Sequence, residues 1–304
     1  MLRDTRYDID LDAVAHNFRQ VLRMIAPAED RPDGRAPKAA VVLKADAYGL
    51  GAVPVARVLL REGADMLAVA CLPEALQLRR AFPDAPILVM GHTPAEYAAE
   101  AVRNRITCTV FDTEQAEALS AAARALKTVA VAHVKVDTGM NRLGLKPGLF
   151  VPGVGEGSAA AMLAGMAALP GLRLEGIFTH LALNDEASDA AQFSMFMRLL
   201  EEAESLGVRF AVRHVCDSIG LMRYPEYRLD MVRAGAVMYG VTPMNTPLTG
   251  SADIRTPFRF STRISRLRPM AAGEGVGYDY TWRAPRSEER RVGKECKSRW
   301  APEP

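Results

Sequence analysis

Residues 39–63 read AAVVLKADAYGLGAVPVARVLLREG, and the order of their parts decides the fold. An apolar run, AAVVLK (39–44), ends on a charged amine. A turn of small residues follows, and then VPVARVLLREG (53–63) places apolar residues three and four apart, the spacing of a helix with one buried face. Strand, turn and helix together make one β/α unit. Comparable apolar runs recur at MLAVAC (66–71), PILVMG (86–91), ITCTVF (106–111) and TVAVAHVKV (128–136). They continue at LRLEGIFTH (172–180), RFAVRHVC (209–216) and LDMVR (229–233). Helix-patterned segments such as PEALQLRRAF, PAEYAAEAVRN and TEQAEALSAAARALK lie between them. Eight short buried strands, most followed by a helix, predict an α/β chain whose residues 1–245 form a (β/α)8 TIM-type barrel. An open doubly wound sheet is the alternative, but no GxGxxG follows the first strand. The glycine-rich GVGEGSAA (153–160) reads as a flexible helix entry.

The character changes near residue 245. MNTPLTGSADIRTP (244–257) has linker composition. FRFSTRISRLRPM (258–270) and AAGEGVGYDYTW (271–282) then alternate like antiparallel strands. A second, mostly β domain is expected from residue 246 to 285.

Composition narrows the function. Hydrophobic residues make up 49% and charged residues 24% of the 304, which is ample for a globular core. A net charge of +2 offers no electrostatic case for nucleic acid or an anionic membrane. Cys71, Cys108, Cys216 and Cys296 show neither metal-ligand nor redox-pair spacing, so no metal is expected. The first residues, MLRDTRYDIDLDAV, carry charges where a signal peptide needs an apolar stretch, and no apolar run is long enough to span a bilayer. These features predict a cytoplasmic protein.

In a parallel barrel, functional groups gather at the C-terminal strand ends. Those ends carry Lys44, Lys135 to Asp137 with Arg142 just beyond, His180, Asp217 and Ser218, and Arg233 followed by Gly235. Taken singly, a basic strand-end residue is usually solvated and a lone histidine is usually structural. As a set they supply a free amine, cations for phosphate or carboxylate, and small residues whose backbone amides can approach an anion. An amine that forms a Schiff base needs nearby cations or desolvation to lower its pKa. An aldehyde cofactor bearing a phosphate would use both features, which points to pyridoxal phosphate.

VVLKADAYGLG resembles the cofactor-lysine motif of the alanine racemases, the barrel-type pyridoxal-phosphate amino-acid racemases. KVDTGMNRLG (135–144), GIFTHLA (176–182), CDSIGLMRYPEYRLDMVRAGAVMYG (216–240) and GEGVGY (273–278) are similar to further family motifs, in the family's order. The resemblance runs from about residue 4 to 285. It implies that Lys44 carries the cofactor and acts as base on the D face of the substrate. Tyr278, supplied by the second domain of a partner subunit in a homodimer, would be the base on the L face. Arg233 would face the pyridine nitrogen, and His180 would link Arg233 to Tyr278. Arg142 would bind near the cofactor phenolic oxygen and the substrate carboxylate, positioned by a carbamylated Lys135. Tyr48, Ser218 and the backbone of Gly235 and Ala236 would hold the phosphate. Asp217 stands where the family usually has asparagine, and a carboxylate there must turn away from the phosphate or pair with a cation.

The implied activity is interconversion of L- and D-alanine, supplying D-alanine for peptidoglycan. Serine racemases share the motif set, and a non-catalytic pyridoxal-phosphate barrel is the alternative of another class. GEGVGY after a linker argues against a carrier, which needs no opposing base. A relative such as an amino-acid decarboxylase is less similar at KVDTGM and DMVRAG. The closing RSEERRVGKECKSRWAPEP (286–304) resembles a translated sequencing adapter, and its six Lys/Arg against four Asp/Glu account for the whole net charge. The family's later CMD-type motif and late phosphate tyrosine are not in this sequence. The resulting expectation is an intact barrel with an incomplete second domain, impaired dimerisation and an inactive or weakly active fragment.

Overall fold

A computed structural model describes residues 5–26, 34–148, 158–241, 253–286 and 288–292. The glycines of GVGEGSAA, most of the expected linker, Cys296 and all of the tail after residue 292 lie outside the described residues. Two compact units emerge: Leu11–Pro257, and Met1–Asp10 together with Phe258–Pro304.

The larger unit is the barrel. Its strands are β2 (Lys38–Val42), β3 (Met66–Val69), β4 (Ile87–Val89), β5 (Thr107–Val110), β6 (Ala130–Lys135), β7 (Leu172–Phe178), β8 (Val212–His214) and β9 (Met231–Ala234). They form one parallel sheet in the order β8-β7-β6-β5-β4-β3-β2-β9. The two ends of that order meet where the Asp230 amide donates to the Arg213 carbonyl at 3.0 Å and the Arg233 amide to the Cys216 carbonyl at 2.9 Å. Arg213 also grips Asp230 through Nε at 2.7 Å and Nη2 at 3.1 Å, clamping the closure.

The strands are buried on both faces because helices cover the outside and side chains fill the inside. Ala40, Met66, Leu88, Val212 and Met231 form an apolar layer that is packed separately from the sheet–helix core. Two residues further along β8 and β9 stand His214 and Arg233, both buried. Along these strands the period-2 alternation therefore converts an apolar layer into a polar one. Helices start on capping side chains: Asp112 accepts from the Gln115 amide, Ser158 from Ala161 and Asp185 from Ser188. Each such cap contributes about 1 kcal/mol.

The smaller unit begins with β1 (Arg6–Ile9), which pairs antiparallel with β10 (Phe258–Ser261). The sequence reading assigns residues 1–10 to the barrel. Within that stretch Arg6–Ile9 pair with β10 instead, and the compact units divide at residue 257 where composition suggests 245. The remaining pairs are β11 (Arg266–Met270) with β14 (Glu288–Val292), and β12 (Gly275–Val276) with β13 (Trp282–Arg283). Strand β14 lies in the tail that lacks strand-like alternation. Ladder bonds run backbone to backbone, so an open edge can pair with a segment of almost any side-chain pattern. Among the described residues no helix is long and apolar enough to cross a membrane.

Leu67 is fully buried in β3. Leu67→Ala is expected to lower the unfolding free energy of the barrel by about 2–5 kcal/mol, as deletion of a core side chain does. Urea denaturation followed by far-ultraviolet circular dichroism checks this, and an unchanged midpoint would remove Leu67 from the core.

Candidate active site

Beyond β2 the chain does something unusual for L-residues. Ala45, Asp46, Ala47 and Tyr48 are all left-handed, with φ between 52° and 57°. Each such residue costs roughly 1–2 kcal/mol, so the turn needs compensation. Asp46 supplies part of it: its Oδ1 accepts from the Ala52 amide at 2.7 Å and so ties the turn to the next helix. Glu74 supplies another part, accepting from the Ala45 amide at 2.7 Å and from the Ala70 amide at 2.8 Å. One carboxylate thus bridges the ends of β2 and β3, immediately beside Lys44. The Lys44 amine lies 5.7 Å from the Tyr48 ring centroid.

On the opposite side, Ser218 Oγ accepts from the Gly235 amide at 2.9 Å and from the Val237 amide at 3.3 Å. Position 235 is tight: a Cβ there would sit 3.1 Å from the Tyr48 hydroxyl and 3.2 Å from Val42 Cβ, so a side chain would press on both. Asp217 caps the short helix Ser218–Arg223, accepting from the Ile219 amide at 3.0 Å and the Gly220 amide at 2.9 Å. Burial first, and the Asp217 charge second, push the Tyr48 phenol above its usual pKa.

Arg233 anchors the floor. Its Nη1 donates to His214 Nδ1 at 3.0 Å and to the His214 carbonyl at 3.2 Å. Its Nη2 donates to the carbonyls of Thr179 at 2.9 Å and Val215 at 2.8 Å, and approaches His180 Nδ1 at 3.4 Å. Among the described residues its Nε has no protein acceptor. Burial lowers the guanidinium pKa to about 10, so it remains charged at neutral pH. Burial, followed by Arg233, Lys135, Arg142 and Lys44, lowers His180 to about 3, which keeps the imidazole neutral. Burial and then Arg233 and Arg142 lower Lys135 to about 7, against a smaller opposing effect from Asp137.

Lys44, Tyr48, Lys135, Arg142, His180, Asp217, Ser218, Arg233, Gly235 and Ala236 all line one cavity of about 360 Å³. Eight of these are the strand-end residues read from sequence, and Tyr48 and Ala236 are those the family resemblance added. Tyr278 belongs to the other compact unit, where it is 96% exposed on the short turn Tyr278–Tyr280. Sequence reasoning missed Phe178, which also lines the cavity. Its ring stacks on His214 at 4.6 Å and lies 5.0 Å from the Lys135 amine. The signal was present, since Phe178 and His180 share one face of a strand at period 2. Glu74 and Asp46 were missed as well, because their task is to accept backbone amides and no spacing rule advertises it.

The cavity suits pyridoxal phosphate on several counts. It offers an amine at one wall, a hydroxyl-and-amide cradle at another, and a buried cation with a spare donor at the floor. The alanine racemase N-terminal domain model matches residues 9–243. The alanine racemase of Desulfovibrio desulfuricans is 40% identical over 275 residues, covering 89% of this chain and 69% of that protein. The crystal structure of alanine racemase from Streptomyces lavendulae superposes with a TM-score of 0.83 at 29% identity, over 95% of this chain and 73% of that one. That of Bacillus anthracis with bound L-Ala-P gives 0.79 at 29% identity, over 95% and 72%. With both the cavity and these likenesses in hand, the chain belongs to the alanine racemase family, as a pyridoxal-phosphate-dependent enzyme that racemises alanine.

Proposed function

We propose that this chain racemises alanine by two bases on opposite substrate faces, Lys44 from the barrel and Tyr278 from the second domain of a partner subunit. The observation that carries the barrel half is the convergence of Lys44, Arg233 and the Ser218–Gly235 cradle on one cavity. When bound, pyridoxal phosphate supplies an electron sink that acidifies the α-proton of the amino acid. The Lys44 amine would hold the cofactor in the resting enzyme and, once released from it, would move a proton on the D face. The phenol oxygen of Tyr278 moves a proton on the L face, and one group takes as the other gives. This reading requires a homodimer, because the barrel wall contributes only one of the bases. A cytoplasmic location and a supply of D-alanine for peptidoglycan complete the proposal, in keeping with the family.

The other roles follow from position and charge. Ser218 Oγ, the Tyr48 hydroxyl and the Gly235 and Ala236 backbone would hold the phosphate. Arg233 Nε is the donor left for the pyridine nitrogen, and a guanidinium that stays charged keeps that nitrogen unprotonated. A weaker electron sink results, which disfavours transamination. Arg142 would hold the substrate carboxylate. His180, kept neutral, would accept at Nδ1 from Arg233 and offer its Nε2 proton toward Tyr278.

The two-base assignment is tested by exchange in deuterium oxide. With Tyr278→Phe, D-alanine should still exchange its α-proton through Lys44. Exchange from L-alanine and net racemisation should fall by about 10²–10⁴-fold, the usual value of a positioned acid–base group. Equal loss from both enantiomers would sink the assignment of faces.

Lys135 titrates near pH 7, so a substantial fraction of its amine is neutral and nucleophilic at that pH. Attack on carbon dioxide with loss of a proton gives a carbamate anion able to orient Arg142. Under ¹³C-bicarbonate a carbamate carbon resonance should appear above pH 7, fade as pH falls below it, and be missing in Lys135→Ala. A spectrum without that resonance across pH 7–9 would remove the modification.

A further inference from the structure

Behind Arg233, inside the barrel, a line of buried polar groups leads away from the cavity. Arg233 Nη1 contacts His214 Nδ1 at 3.0 Å. His214 Nε2 contacts His133 Nδ1 at 3.0 Å. His133 Nε2 faces Glu175 Oε2 at 3.7 Å, longer than a hydrogen bond, and has no other polar partner among the described residues. Both imidazoles are fully buried, while the Glu175 side chain is 29% exposed.

The direction of this line is forced. A guanidinium has no acceptor, so His214 Nδ1 must accept and its proton must sit on Nε2. That proton then points at His133 Nδ1, which must accept in turn, leaving the His133 proton on Nε2. This last N–H points at a carboxylate. Both rings are neutral in this arrangement. Burial and the neighbouring Arg233 hold His214 well below the usual histidine pKa, in agreement with a neutral ring.

Two backbone features exist around His133 and nowhere else along β6 and β7. The register runs Ala132↔Leu174 and then His133↔Gly176, so Glu175 is a bulged extra residue. Bulges re-aim side chains, and this one sets Glu175 against the His133 ring. Gly176 leaves space for that ring, since a Cβ there would lie 2.7 Å from His133 Nδ1 and Cε1. A histidine that merely filled the core would need neither.

We propose that His133 and Glu175 are positioning residues for the racemase reaction: His133, which faces the bulged Glu175, accepts the His214 Nε2 proton and holds that ring, and through it seats the Arg233 guanidinium that would face the pyridine nitrogen. The role rests on the reading of Arg233 as the partner of the pyridine nitrogen. Other charges facing the line are Arg173, 3.2 Å from Glu175 Oε1, and Lys38, both beside Glu175. The Lys135 amine lies 5.0 Å from the centroid of the Phe178 ring that stacks on His214.

The first measurement uses the cofactor-free protein with ¹⁵N-labelled histidine. Wild type should show His133 and His214 as neutral Nε2–H tautomers. Glu175→Leu, a change at a partly exposed site, removes the carboxylate facing His133 Nε2 and should shift the His133 Nε2 resonance while both rings keep their tautomers. An imidazolium or an Nδ1–H tautomer at His214 in wild type would overturn the proposal.

The second measurement uses the cofactor-loaded enzyme. His133→Leu should lower kcat by about 10- to 100-fold, the usual cost of losing an outer partner of a functional histidine, with KM little changed. It should also raise the fraction of turnovers lost to transamination, read as pyruvate formed per racemisation. His133→Gln, whose amide accepts from His214 and donates toward Glu175, should restore most of both. Should His133→Leu fail to fold, Glu175→Leu carries the same test of partition. A wild-type side-reaction fraction in the Leu variants would overturn the proposal and leave the assignment of function intact. Failure of wild type itself to bind pyridoxal phosphate would instead refute the functional reading, with the tautomer result still standing.

Discussion

A guanidinium buried inside the barrel is the constraint from which most of the site follows. Removing an ion of this size from water costs several kcal/mol unless its donors are met. Arg233 meets that cost with three backbone carbonyls and an imidazole nitrogen, drawn from β8 and from the residues just beyond β7 and β8. The strands must hold those carbonyls in register, so the barrel closure and the seating of the arginine are one problem. Burial first, and its charge second, then set the ionisation of its surroundings. His214 and His180 stay neutral beside it, and Lys135 is brought down toward neutrality. A cavity that looks crowded with cations is therefore less positive than its composition suggests.

The lysine wall obeys a different rule, one of backbone strain. Four successive left-handed residues would not persist in an isolated peptide. Here the turn is held from both sides by Asp46 and Glu74, each accepting a backbone amide at 2.7 Å. Glu74 matters more for chemistry, because it ties the residue after Lys44 to the end of the neighbouring strand. A flexible amine on a four-carbon stem gains direction only from where its Cα is fixed, and these two carboxylates fix it.

What was legible in the sequence were features with a period or a motif. The eight strands stood out as apolar runs, and the residues at and just beyond their ends named eight of the groups around the cavity, with Tyr48 and Ala236 added by the family resemblance. Boundaries drifted where composition and pairing disagree: β1 looks like a lead-in to the first helix, yet its partners are in β10. The residues hardest to read were those that work through backbone or through other side chains. Glu74 sits in an ordinary helix start. His133 alternates with Lys135 along TVAVAHVKV, and that period was readable, but the bulge that brings Glu175 to it depends on pairing between distant strands.

Asp217 shows how position outweighs residue type. Asparagine or aspartate can cap the helix Ser218–Arg223 equally well, since either offers a side-chain oxygen to the Ile219 and Gly220 amides. The carboxylate differs by its charge, and the structure says where that charge is felt. It favours the protonated form of Arg233, partly offsetting the loss of solvation there. It also disfavours ionisation of Tyr48, keeping that phenol a hydrogen-bond donor. Both effects suit a site that would need a lasting cation for the pyridine nitrogen and a neutral donor near a phosphate. With its oxygen committed to two amides, the carboxylate is held as a cap, and its repulsion toward an anion is reduced by the same bonds that orient it.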